Sequence, residues 1–172
     1  MAKLIERNNY PYYSRQTAEL LRTLPDSYTV YTGAVRALMG GDLSEFLVVG
    51  PTGLFSIETT EDAGKYKGIT NDRYLYFTAV DAKKPKQIAS ALNAAVLNCG
   101  PLTGVLRKKG MPCTMQYAAY FPAATELDIR QTARLIIHPF SDGEALLRFI
   151  VQNSDTLTDS DIAGIRAVVE SL

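Results

Sequence analysis

Two apolar runs separated by four turn-forming residues organise the centre of this chain. Phe46 to Val49 and Leu54 to Ile57 are β-prone, and Gly50-Pro51-Thr52-Gly53 between them puts Pro and Gly where a tight reversal needs them. A β-hairpin follows. With the turn centred on Pro51 and Thr52, Val49 faces Leu54, Leu47 faces Ser56 and Glu45 faces Glu58. Directly opposed side chains have Cβ atoms roughly 4.5–5.5 Å apart, and like charges at that separation destabilise a sheet unless something offsets them. A magnesium ion would do so, since it takes one or two carboxylates together with substrate phosphate oxygens. Two plainer placements stay open. Glu45 can sit in the loop after Gly40-Gly41-Asp42 and point to water, and Glu58 can be an ordinary charge at a strand end.

Around the hairpin the pattern alternates between strands and helices. Tyr28 to Val35 and Arg73 to Val80 read as strands, with Glu61-Asp62-Ala63-Gly64 as a polar loop between them. A helix capped by Ser14 or Thr17 runs to Leu24, stopped by Pro25-Asp26, and residues 1–13, with Tyr10, Tyr12 and Tyr13, read as an arm over the body. Ile88, Ala91, Leu92, Ala95, Val96 and Cys99 recur at three and four residues, the signature of an amphipathic helix. Pro85 suits its first turn and Gly100-Pro101 its end, with Leu102 to Arg107 able to continue helically. That helix start sets Lys83, Lys84, Lys86 and Gln87 at a positive dipole end, which favours a phosphate; a solvated basic loop is the plainer alternative.

Thr114 to Phe121 is an aromatic strand bounded by Pro112 and Pro122, and Leu135 to His138 a short final one. Ser141 with Glu144 and Thr158 with Asp161 form capping-box patterns before two closing helices. Leu157 and Ile162 take the staple positions of the second, and Ile162, Ile165, Val168, Val169 and Leu172 form its inward stripe. The fold expected is α/β: one domain over residues 1–172, with a central mixed β-sheet flanked by helices.

Composition narrows the function. The 18 basic and 18 acidic residues cancel, so nucleic-acid affinity would need a local basic patch rather than overall charge. No apolar run approaches the roughly 20 residues of a membrane span, and the first residues lack a secretory core, so a soluble cytosolic protein is expected. Cys99, Cys113 and His138 have no metal-ligand spacing, and buried thiols and a strand-end histidine are the expected roles. Phosphate-loop and dinucleotide motifs are missing from the sequence.

The succession of an acidic residue, aliphatics, Gly-Pro-x-Gly, a short apolar strand, Ile57-Glu58 and then Gly64-Lys65 resembles the nuclease-related domain family, a branch of the restriction-endonuclease-like superfamily. Lys84-Pro85-Lys86-Gln87 resembles that family's Asn-Pro-x-x-Gln element opening a helix, and Pro112 to Pro122 resembles its late strand. The likeness runs from about Tyr28 to the end. It implies a restriction-endonuclease-like fold, with Glu45 and Glu58 holding Mg or Mn, Gln87 beside them, and a further acid on the first helix, for which Glu19 is the only candidate.

The departures matter. Glu45 stands where the family has Asp, and Thr60 stands where it has the lysine that stabilises charge at the phosphate. A neutral hydroxyl does not replace a cation there, and one extra methylene displaces a carboxylate by over ~1 Å, a shift that reacting geometries tolerate poorly. The expectation is thus a nuclease-related domain with weakened or lost cleavage, kept for interaction with DNA or a protein. Its alternatives are an active Mg- or Mn-dependent nuclease using a lysine from Lys65, Lys67 or Lys86, and a purely structural interaction domain. Lys65, Lys83, Lys84 and Lys86 are the candidate nucleic-acid contacts.

Overall fold

The computed structural model describes residues 1–5, 12–32, 45–132, 136–154 and 156–172. Within them the chain forms, in order, β1 (Lys3–Ile5), α1 (Tyr12–Arg22), β2 (Thr29–Thr32), β3 (Phe46–Gly50), β4 (Gly53–Thr59), β5 (Gly64–Ile69), β6 (Tyr74–Ala79) and β7 (Lys86–Ala89). Then follow α2 (Ala91–Lys108), β8 (Met115–Tyr120), β9 (Ala124–Arg130), β10 (Ile137–Phe140), α3 (Gly143–Gln152) and α4 (Asp159–Ser171). The expected Gly40-Gly41-Asp42 turn, the last residues of the strand expected to reach Val35, and Leu135 lie outside the described residues.

A mixed sheet in the order β1-β2-β3-β4-β8-β10 forms the centre, and β7-β6-β5-β9 make a second sheet. β2, β3 and β4 run antiparallel, whereas β4 with β8, β8 with β10 and β1 with β2 are parallel. The hairpin has the expected register, with Val49 opposite Leu54, Leu47 opposite Ser56 and Gly50 closing on Gly53. Every residue of β3 is buried, because the sheet is covered on both faces. Phe46, Val48, Phe55 and Ile57 pack with Ala18 and Leu21 of α1 and with Leu146 and Ile150 of α3. Leu47, Val49 and Leu54 pack on the other side with Leu102 and Leu106 of α2 and Ile165 and Val169 of α4. The alternation is the two-residue period of a strand read out against two helical layers.

The hairpin turn is held rather than exposed. A side chain at Gly50 would meet the Tyr28 ring at 2.1 Å, and Gly53 adopts φ +129°, which side chains disfavour. Tyr28 and Thr52 share a hydroxyl hydrogen bond at 2.8 Å, and Thr52 donates to the Ile150 carbonyl at 2.6 Å. Backbone amides of Thr156 and Leu157 both reach the Pro51 carbonyl. The turn is thereby tied to α3 and to the approach to α4.

Several expectations change. Within the stretch expected to be an arm without regular structure, residues 3–5 form an edge strand and Tyr12 and Tyr13 open α1, while Tyr10 lies outside the described residues. Lys86 and Gln87 lie in β7, paired with Phe77 and Tyr76, and α2 begins only after Ser90, whose hydroxyl accepts from the Asn93 amide at 3.3 Å. A serine cap outcompetes Pro85 for the start because Ile88 has a cross-strand partner in Leu75. At the other end α2 runs through Pro101, since Cys99, Leu102 and Leu106 bury the face on which a break would fall. The first capping box resolves to Asp142, which accepts from the Glu144 and Ala145 amides, while Thr158 and Asp161 form theirs reciprocally. Leu157 and Ile162 both join the core beside α4, as a staple requires.

The second sheet was not foreseen. Its inner side chains Tyr66, Leu75 and Phe77 pack with Leu92 of α2, with Ala119 and Ile137 of the first sheet, and with Phe121 just after β8. No helix among the described residues is long and apolar enough to cross a membrane.

Candidate functional site

The ends of β3 and β4, the start of α1 and the loop after β4 converge in a polar corner. Glu45 immediately precedes β3 and Glu58 is the penultimate residue of β4, so the hairpin register does set them opposite each other. Their side chains then part. The Glu58 carboxylate accepts the Glu45 backbone amide at 3.0 Å and the Asn98 side-chain amide of α2 at 3.3 Å. Glu45 turns toward α1 and accepts the Thr59 amide at 2.8 Å. Each carboxylate thus binds a backbone amide of the other's strand, a reciprocal clamp across the open end of the hairpin. Strand alternation governs Glu58 but not Glu45, which precedes β3: Ser56 and Glu58 face α2, where Ser56 donates to the Ala95 carbonyl at 2.7 Å, while Glu45 is free of the strand's pleat and meets Ser14 of α1, beside which Thr59 meets Thr17 at 3.1 Å.

A third acid completes the corner. Glu61 accepts the Tyr13 amide at 2.9 Å, the Ser14 amide at 2.7 Å and the Ser14 hydroxyl at 2.6 Å. It therefore caps α1 from a loop 47 residues away, doing the work of an N-cap side chain and placing negative charge at a positive helix end. Burial pushes the Glu45 carboxyl above its usual range; hydrogen bonding from Ser14 and Thr59 pulls the other way, and the nearby Glu61 charge adds to the rise. The single Ser14 hydroxyl proton, given to Glu61, lies within reach of Glu45 and links the two acids.

Thr60, where the resemblance led to the expectation of a lysine, is bound to β8 through its amide, which donates to the Tyr120 carbonyl at 2.9 Å. Lys65 and Lys67 do not swing in from a loop. They lie in β5, exposed, and pair with Glu126 at 2.8 Å and Asp128 at 3.3 Å on β9. Gln87 is exposed on the edge strand β7, with its side-chain amide 3.5 Å from the Tyr76 hydroxyl, rather than beside the acids. Lys83 and Lys84 are exposed before β7, and the Lys86 ammonium lies 5.5 Å from the Phe77 ring centre. Glu19 is exposed and pairs with Arg22 on its own helix. Cys99 and Cys113 are not joined in a disulfide, and His138 lies among Phe140 and Phe149, where burial lowers its pKa.

The corner's chemistry is that of hydrogen-bond acceptors already engaged. Among the described residues no group of three or more His, Cys, Asp or Glu side chains is placed to hold a metal ion. Glu45 and Glu58 each spend one carboxylate oxygen on a separate backbone amide, and no step is derived through a metal ion. Sequence reasoning missed Ser14, Thr17, Thr59, Glu61 and Asn98 as members of this corner. Asn98 alone had a signal, a polar residue one turn beyond Ala95 in a helix that is otherwise apolar there. No family model, no curated protein and no solved structure matches this chain.

Proposed function

We propose that this chain is a nuclease-related domain, restriction-endonuclease-like in descent, that binds nucleic acid without cleaving it. One observation carries the reading. The two acids that the resemblance assigns to a metal ion are used instead to clamp the hairpin ends, Glu58 on the Glu45 amide and Glu45 on the Thr59 amide. Thr60 beside them brings a hydroxyl where phosphodiester chemistry needs a cation. What remains for nucleic acid is a set of exposed lysines, Lys83, Lys84 and Lys86, away from the acids. Two cysteines that form no disulfide accord with a cytosolic setting.

The test is incubation of supercoiled plasmid with magnesium or manganese, comparing wild type and Glu58→Gln, alongside retention of linear duplex at low salt. The expected result is no nicking by either protein and retention that weakens as salt rises. Nicking by wild type that Glu58→Gln abolishes would overturn the loss of cleavage and restore the metal-dependent nuclease. Absence of retention would overturn the binding half and favour a structural interaction domain.

A further inference from the structure

The outer face of the second sheet is open, and its residues follow a pattern. Burial alternates over the first four residues of β6, so Leu75 and Phe77 point into the core while Tyr74 and Tyr76 point out, 47% and 51% exposed. Residues two apart on a strand are roughly 6.8 Å apart, so the two rings form adjacent platforms on one surface. The register fixes their neighbours across the sheet. Ala89 lies opposite Tyr74, and Tyr76 sits between Gln87 on β7 and Lys67 on β5. Gln87 brings an amide able to donate and accept beside the second ring. The Arg73 guanidinium lies over the Tyr74 ring, 5.6 Å from its centre, so a base stacking there would displace this cation or share the ring with it.

Charge favours the same partner. Residues 64–89 contain Lys65, Lys67, Arg73, Lys83, Lys84 and Lys86 against Asp72 and Asp81. Adding β9 with Glu126, Asp128 and Arg130 gives seven basic and four acidic residues in this sheet and its turns. Since the whole chain holds 18 of each, the rest carries the opposite excess of three. The electrostatic asymmetry that overall neutrality conceals is therefore concentrated in this sheet and its turns, although Lys86, opposite Phe77 and over its ring, lies on the inner side. The Lys65–Glu126 and Lys67–Asp128 pairs are more than half exposed, so they hold their partners weakly and can exchange a carboxylate for a phosphate.

We infer that this face binds single-stranded nucleic acid, with successive bases stacked on Tyr74 and Tyr76, Gln87 at a base edge, and the surrounding lysines and Arg73 along the backbone. Every base has a π-face, so such a platform holds single strands with little sequence preference, whereas the stacked bases of a duplex cannot reach it. The inference rests on the nucleic-acid half of the function proposed above but uses none of Glu45, Glu58 or Thr60.

The experiment is fluorescence anisotropy of a labelled oligothymidine and of a labelled hairpin duplex, titrated with the full chain. The single strand should bind more tightly than the duplex. Tyr74→Ala and Tyr76→Ala should each weaken it at least about 5-fold, given the usual worth of one base–aromatic stack. Tyr74→Phe and Tyr76→Phe, which keep the ring and guard against loss of fold, should bind as wild type, as should Lys108→Ala at the far end of α2. If about three phosphates are neutralised, raising salt from about 50 mM to about 200 mM should lower affinity roughly 20-fold.

Single-strand binding indifferent to both alanine variants overturns the inference, as does no binding of oligothymidine at low salt. In the second case, retained duplex binding would leave the function proposed above intact. A dimer that either alanine variant breaks, without oligonucleotide binding, would assign the face to a second copy of this chain and equally overturn it.

Discussion

Replacing Glu61 with alanine should destabilise the protein far more than a loop carboxylate ordinarily would. The carboxylate accepts two α1 backbone amides and the Ser14 hydroxyl, all at 2.9 Å or less. Loss of an N-cap side chain typically costs about 1 kcal/mol and up to about 2, and loss of the negative charge at the helix start adds about 0.3–1 kcal/mol. Ser14 is 2% exposed, so its hydroxyl loses an acceptor that water does not readily replace. Against these terms, removing Glu61 relieves its repulsion of Glu45. The net is about 1.5–3 kcal/mol, or roughly 5–10 °C in melting temperature for a chain of this size. Urea titration followed by circular dichroism measures it, with Glu19→Ala as control. That carboxylate makes only an exposed pair with Arg22 and should change stability by less than about 0.5 kcal/mol. Equal stability of Glu61→Ala and wild type would refute the assignment of Glu61 as the distant cap of α1.

Two further changes probe the same framework. The folded Glu45 carboxyl titrates above its unfolded value, so Glu45 costs the fold nothing below the unfolded pKa of about 4.3 and increasingly more as pH rises through the folded one. Glu45→Gln should therefore gain stability relative to wild type between pH 4 and neutrality by about 1.4 kcal/mol per unit of elevation, read from urea midpoints; a gain on acidification instead would contradict it. Gly50→Ala should cost about 1–3 kcal/mol or more by driving a methyl into the Tyr28 ring, and a melting temperature like wild type would show that the ring is free to move.

How much of this was legible in the sequence follows physical lines. The hairpin register was, because Gly50 and Gly53 bracket a tight turn and the flanking runs Phe46 to Val49 and Leu54 to Ile57 are apolar but for Ser56. Helix caps at Thr158 and the inward stripe of α4 were legible for the same local reason. Strands β5 and β9 were not. Each buries one face only and presents Lys65, Lys67, Glu126 and Asp128 outward, so their composition resembles loops. Pro101 misled because burial of Leu102 and Leu106 outweighs the hydrogen bond that a proline removes. At the site, the pairing of Glu45 with Glu58 was visible as register, but the directions their carboxylates take depend on Ser14, Thr59 and Asn98. Glu61 as a cap depends on tertiary approach across 47 residues, which no local pattern records.

The central claim is that Glu45 and Glu58 clamp the hairpin instead of holding a metal ion. Thermal unfolding of wild type and Glu58→Ala, each with and without millimolar magnesium or manganese, tests it most directly. The account predicts that wild type melts at the same temperature with either ion, and that Glu58→Ala melts lower in all conditions because the Glu45 amide loses its acceptor. An ion present at about 100 times its Kd would stabilise the folded state by about 2.7 kcal/mol. A metal-dependent rise of that order in wild type, absent from Glu58→Ala, would contradict the account.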